Sequence, residues 1–249
     1  MKKLFFLLFI MSPHFIYSQV VIRANPMDCK VKYWIEEATN KLYSNSDIDS
    51  LEKTCQILIS KDSIVGQDTV YLTFEKKLLS DVKKEEEDWR NNIIGKKLIN
   101  FEMHDLNGKV INNEILRNKY IIADFSSFYC GPCIKEIPSF NSLADSLKAK
   151  GVAIIAFFNE DTVAMNQMLS NPVIVKQLLG GKKAQFSYTV IPDAKAMVDN
   201  YKIYAFPTHL IIDKKGIIRN AIVGVPHNDK TNKITVVKTM LAELKEVGF

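Results

Sequence analysis

Apolar positions along the chain follow two different rhythms. In the C-terminal two-thirds, nearly continuous apolar runs alternate with helix-like stretches. Tyr120 to Phe125 and Val152 to Phe158 read as strands buried on both faces of a sheet. Leu98 to His104 and Lys109 to Asn112 flank Asn107-Gly108, a hairpin turn signal. A helix is predicted from about Gly131 to Lys150, ending before Gly151. After a helical insertion at about 160–181 come a short strand, Ser187 to Ile191, and a helix, Ala194 to Tyr201. Thr208 to Asp213 and Ile217 to Val223 pair across Lys214-Lys215-Gly216, and a closing helix spans Asp229 to Val247. Strands alternating with helices imply an α/β sandwich with helices on both sheet faces.

The N-terminal third reads differently. Val31, Trp34, Ile35, Ala38 and Leu42 share one helix face, as do Ile48, Leu51, Cys55, Leu58 and Ile59. Thr69 to Phe74 suits strand or helix. Residues 19–92 are therefore expected to be a small, mainly helical module. The charged run Lys83 to Asp88 leads into a second domain at 93–249.

Composition changes this picture little. Of 249 residues, 47% are hydrophobic, which suits an ordinary globular protein. A formal net charge of +5 is too small to argue for nucleic acid. Residues 1–18 add a location. Lys2 and Lys3, the apolar run Leu4 to Met11 and the small Ser18 before Gln19 resemble a secretory signal peptide. The apolar run is short for a membrane span, so a soluble, periplasmic mature protein without stable membrane insertion is expected. An uncleaved N-terminal anchor is the alternative.

Four cysteines remain, at 29, 55, 130 and 133. Two residues separate Cys130 from Cys133 where a buried strand gives way to a helix. Gly131 and Pro132 suit a helix start. A cysteine there faces unpaired N–H groups and the positive dipole end, which favours its thiolate, and Lys135 adds a positive charge. Cys29 and Cys55 are a candidate structural disulfide if the two predicted helices pair antiparallel. Two unpaired cysteines, with Cys55 filling core, is the alternative. A zinc site needs two further Cys or His ligands, and no such pair lies nearby, so no metal and no other cofactor is expected.

The stretch Ile121 to Pro138 resembles the active site of the thioredoxin superfamily. Gly131-Pro132 is the dipeptide typical of thioredoxins. Asp124, six residues before Cys130, matches their buried aspartate, and Pro138 matches the proline that kinks their active-site helix. Glu136, three after Cys133, matches a glutamate of the extracytoplasmic TlpA/ResA-like branch, and the early hairpin suits that branch too. Phe206-Pro207-Thr208 resembles the cis-proline loop facing the cysteines. The resemblance implies a thioredoxin-like fold, with a central mixed sheet, helices on both faces and an N-terminal β-hairpin.

It also implies roles. Cys130 is the attacking thiolate and Cys133 the resolving thiol. Asp124, placed under the site, takes the proton of Cys133, with Glu136 sharing that task. Phe206, Pro207, Thr208 and Tyr129 meet the substrate, with Phe128 on the apolar rim. Two departures stand out. The lysine that partners the aspartate in thioredoxins is missing, with Phe157 in the expected place, and Tyr129 and Ser126 replace tryptophans. His209 reads as a packed or surface histidine.

The expected activity is thiol–disulfide exchange with protein disulfides or dithiols. The Gly-Pro dipeptide leans toward a reductant fed by a membrane electron-donor protein. Two alternatives are a redox-gated binding module, with the cysteine pair as its switch, and a peroxiredoxin-like peroxidase. The second lacks the Pro-x-x-x-Thr-x-x-Cys pattern, since Ser126 and Ser127 stand four and three residues before Cys130.

Overall fold

The computed structural model describes residues 31–36, 38–51, 53, 55–59, 64–65, 70–147, 149–172, 186–228 and 233–249. The predicted leader and Cys29 lie outside them. Among the described residues no helix is long and apolar enough to cross a membrane.

The N-terminal unit corrects the expectation of a mainly helical module. Among the described residues it is a five-stranded sheet with one short helix. Its strands are β1 (Val31–Glu36), β2 (Leu42–Tyr43), β3 (Cys55–Ile59), β4 (Ile64–Val65) and β5 (Val70–Leu78), with α1 at Asn45–Leu51. The sheet runs β2-β1-β5-β3, with β4 also on β5, and β1 and β5 are parallel. The physical reason is composition. The apolar positions of these segments fit a helical period, but β-branched and aromatic residues dominate them and favour a pleated surface. Cys55 thus begins a strand opposite Leu78, not the middle of a helix. The expected pairing of Cys29 with Cys55 lies outside the described residues.

β5 passes directly into α2 (Leu79–Ile93), which ties the unit to the larger domain. Trp89 donates its indole N–H to the Tyr201 carbonyl at 2.9 Å and sits edge-on to Tyr204. Ile93 is buried in the core of the larger domain. The boundary expected between 92 and 93 therefore falls in the last turn of α2.

The larger domain follows the expected order. The hairpin is β6 (Glu102–His104) with β7 (Val110–Asn112). A five-stranded mixed sheet follows, ordered β10-β9-β8-β11-β12. β8 (Tyr120–Ser126), β9 (Val152–Phe158) and β10 (Thr189–Ile191) are parallel, whereas β11 (Thr208–Ile212) runs antiparallel to both β8 and β12 (Ile218–Val223). Among the described residues the helices are α3 (Gly131–Leu147), α4 (Thr162–Ser170), α5 (Lys195–Asn200) and α6 (Val236–Glu246). A short hairpin, β13 (His227–Asn228) with β14 (Lys233–Ile234), takes the place of the predicted first turns of the closing helix.

Strand alternation sorts β8 between two cores. Ile121, Ala123 and Phe125 face the layer that includes Ile93 and Met197. Tyr120 and Ile122 face Phe140, Leu143 and Leu147 of α3 and Met240 of α6. With a period of two, Asp124 belongs to the α3 face. On β11, Ile211 faces the same way, and so does His209.

Candidate active site

The two cysteines sit where β8 gives way to α3. Cys130 and Cys133 form a disulfide with Cα atoms 5.3 Å apart. Cys130 is half-buried and Cys133 is buried. The N–H of Cys133 points at the Cys130 sulfur, 3.2 Å away. A backbone donor at a helix start favours negative charge on that sulfur once the bond is reduced. The loop entering the helix is pinned from behind. The Cys130 N–H donates to the Ser127 carbonyl at 3.1 Å, and the Tyr129 N–H donates to the Ser127 hydroxyl at 3.1 Å. That hydroxyl in turn donates to the buried carboxyl of Glu160 at the end of β9.

Asp124 lies on β8 and Glu136 on α3, the two elements that meet at the pair. Glu136 is three residues after Cys133 on α3, hence on the same inward helix face. Both carboxyls are buried. The Ser126 hydroxyl donates to Oδ2 of Asp124 at 2.9 Å. The serine that replaces a tryptophan thus serves the aspartate.

The cation of the site is His209, which the sequence reading left as a packed or surface residue. It is wholly buried. Register explains why it reaches the site. His209 is the direct cross-strand partner of Asp124 between β11 and β8. Nδ1 lies 3.1 Å from Oδ1 of Asp124 and Nε2 lies 3.3 Å from Oε1 of Glu136. Neither ring N–H is aligned well enough to count as a good hydrogen bond, so these are close contacts of a ring nitrogen with a carboxyl oxygen, ion pairs when the ring is protonated. The Phe140 ring packs against the imidazole, 5.4 Å between centres.

The expectation for Phe157 is corrected accordingly. Opposite Asp124 on β9 stands Ala156, while Phe157 is opposite Phe125 and stacks on it on the other sheet face. The counter-charge comes from the strand on the other side. One signal in the sequence pointed to it. Asp124 and His209 each interrupt an otherwise apolar buried strand, and buried polar groups need partners.

The charges follow from this packing. Burial alone pushes His209 down, but the hydrogen-bonding reach and charge of Asp124 and Glu136 outweigh it and raise its pKa to about 10. Burial pushes Glu136 above the usual carboxylate range, the imidazole pulls it back, and the Asp124 charge adds to the rise. Burial, with the same two carboxyls, lifts the neighbouring Tyr188 well above its ordinary value.

These three donors lie within 4.8 Å of one another. A single metal ion would take only one ring nitrogen, and here the two nitrogens face different carboxyls. The set fits a buried ion triad better than a metal centre.

The remaining predicted residues differ in their exposure. The Phe206–Pro207 peptide is cis. Pro207 and Thr208 are buried at the start of β11, with Thr208 opposite Phe125 and its hydroxyl donating to the Ala205 carbonyl at 2.8 Å. Phe206 is half-buried against the core on the α5 side, and Phe128 packs inward on Phe158. Tyr129 is the exposed aromatic beside the cysteines, with 58% of its surface open.

Residues 94–221 match the AhpC/TSA family. The chain belongs to that family. Thiol-disulfide oxidoreductase ResA of Bacillus cereus is 32% identical over 131 residues, covering 53% of this chain and 70% of that protein. ResA of Bacillus subtilis is 26% identical over 127 residues, covering 50% and 64%. Among solved structures, StoA of Bacillus subtilis aligns at 21% identity with a TM-score of 0.42, over 59% of this chain and 96% of StoA. Within the AhpC/TSA family the chain thus groups with thioredoxin-like thiol–disulfide oxidoreductases of the ResA type. The N-terminal sheet lies outside the matched residues.

Proposed function

We propose that this AhpC/TSA-family protein reduces disulfides of protein substrates outside the cytoplasm, drawing electrons from a membrane donor. The observation that carries the reading is the disulfide at the start of α3, with one half-exposed sulfur that receives a backbone donor and one buried sulfur. In the reduced protein Cys130 attacks a substrate sulfur, giving a mixed disulfide and one free substrate thiolate. Cys133 then gives up its proton, attacks the Cys130 sulfur and releases the second thiolate. The dithiol loses two electrons and the substrate disulfide gains them. Asp124 and Glu136, on the two elements that meet at the cysteines, supply the proton acceptor for Cys133. An extended substrate segment meets the exposed Tyr129 and the backbone at Phe206, which the cis bond to the buried Pro207 presents, with Thr208 supporting that turn from within. The leader-like residues 1–18 and the Gly131-Pro132 dipeptide support the location and the reducing direction.

Two variants test the reading. Cys130→Ser should abolish reduction of insulin disulfides, and Cys133→Ser should accumulate mixed disulfides identifiable by mass spectrometry. Full turnover by Cys130→Ser, or trapping through Cys133 in place of Cys130, would reverse the assignment.

A further inference from the structure

His209 has no place in the two-cysteine chemistry just described, yet it sits at the centre of the charged cluster. We propose that His209 is a positioning residue that holds the Glu136 carboxyl ready to accept the Cys133 proton, with Ser126 and Asp124 fixing the ring. The inference rests on the thiol-exchange reading and deepens it.

The geometry forms a relay of contacts. The Ser126 hydroxyl holds Oδ2 of Asp124, Oδ1 of Asp124 meets Nδ1, and Nε2 meets Glu136. Phe140 covers the ring. The members come from three elements, β8, β11 and α3, so the ring cannot turn without disturbing a core. Among the described neighbours, the remaining surroundings are nearly neutral. From β12 the cross-strand partner is the apolar Ile222, and Tyr188 is held protonated. Lys135 on α3 is exposed.

A buried carboxyl without a cation would hold its proton too firmly to act as a base near neutral pH. Burial does push Glu136 upward, and the imidazole beside it is the group that pulls it back. His209 itself stays charged, its pKa raised to about 10 by the two carboxyls. The release step then balances. The Cys133 thiol proton passes to the Glu136 carboxylate, and the sulfur electron pair attacks Cys130. The bond from Cys130 to the substrate sulfur breaks, and the departing thiolate takes a proton from solvent.

Ellman's reagent separates the two steps without any physiological substrate. Attack by Cys130 on the aromatic disulfide releases one coloured thiolate, and attack by Cys133 on the resulting mixed disulfide releases a second. Stopped-flow traces of the reduced protein from pH 5 to 9 give both rates. In His209→Gln the midpoint of the second phase should move up by about one pH unit or more, or about tenfold slower release below it, with the first phase little changed. His209→Lys, which restores a cation, should lie closer to the parent. An unmoved second-phase midpoint in His209→Gln would overturn the proposal. Nitrogen-15 spectra of the parent protein at pH 8 should show both ring nitrogens protonated, and a neutral ring would overturn it equally, whether or not the variants fold. Failure to reduce insulin would count against the proposed function, while both phases with the small disulfide would still decide the role of His209.

Discussion

The buried imidazolium should make the protein lose stability toward alkaline pH. An ordinary histidine titrates near 6.5, and His209 is held to about 10 in the folded chain. Its folded pKa lies above the unfolded value. Its contribution is therefore complete below about 6.5 and declines as pH rises toward 10. Between those values the folded state binds one more proton than the unfolded state, and stability falls by slightly more than 1 kcal/mol per pH unit. The whole shift corresponds to roughly 5 kcal/mol, and the interval from pH 7 to 9 to about 3 kcal/mol. Glu136, raised by burial, acts in the same direction at lower pH. The assay is urea unfolding of the oxidised protein at a series of pH values, read by tryptophan fluorescence. The reference is a triple variant, Asp124→Asn with Glu136→Gln and His209→Gln, in which other titrating groups cancel. The parent should lose about 3 kcal/mol relative to that reference between pH 7 and 9. Parallel curves across that interval would mean that the folded protein holds no extra proton on His209, and the charge assignment would fall.

Two further outcomes follow from the packing. Asp124→Asn, which removes the charge facing Nδ1 of His209, should slow release of the mixed disulfide more than the initial attack, and equal slowing of both would remove Asp124 from the proton path. Trp89→Phe removes the indole bond to the Tyr201 carbonyl and should cost about 1–2 kcal/mol by urea unfolding; an unchanged midpoint would show that α2 is not anchored through that bond.

The catalytic half was legible because its signals are local. Asn107-Gly108 marks a turn, Tyr120 to Phe125 a buried strand and Gly131-Pro132 a helix start, and each falls where the structure has the corresponding element. The N-terminal sheet was not legible for the opposite reason. Val31 to Leu42 satisfies a helical spacing, and besides its β-branched and aromatic content, what holds Val31–Glu36 as a strand is parallel pairing with Val70 to Phe74, a contact far away in sequence. The charged cluster shows the same divide. Asp124 and Glu136 were found through the resemblance to thioredoxins and the TlpA/ResA-like branch, whose motif places them around the cysteines. His209 stands out as a polar break in an apolar strand, but its place beside Asp124 is recognisable only once the register of β11 on β8 is known, because a shift of one residue would turn it to the other face.

That register also has a consequence for the order of events during synthesis. The cysteine pair, Asp124 and Glu136 leave the ribosome well before His209 does. Until β11 is made and docked, the nascent chain carries its thiols without the cation that balances the carboxyls beneath them. The cysteines, Asp124 and Glu136 come from neighbouring stretches of chain, but the finished site depends on a strand that is made later and pairs over a long distance. Catalytic competence is thereby tied to completion of the sheet, and a chain stalled short of β11 carries the cysteines without the assembled chemistry around them.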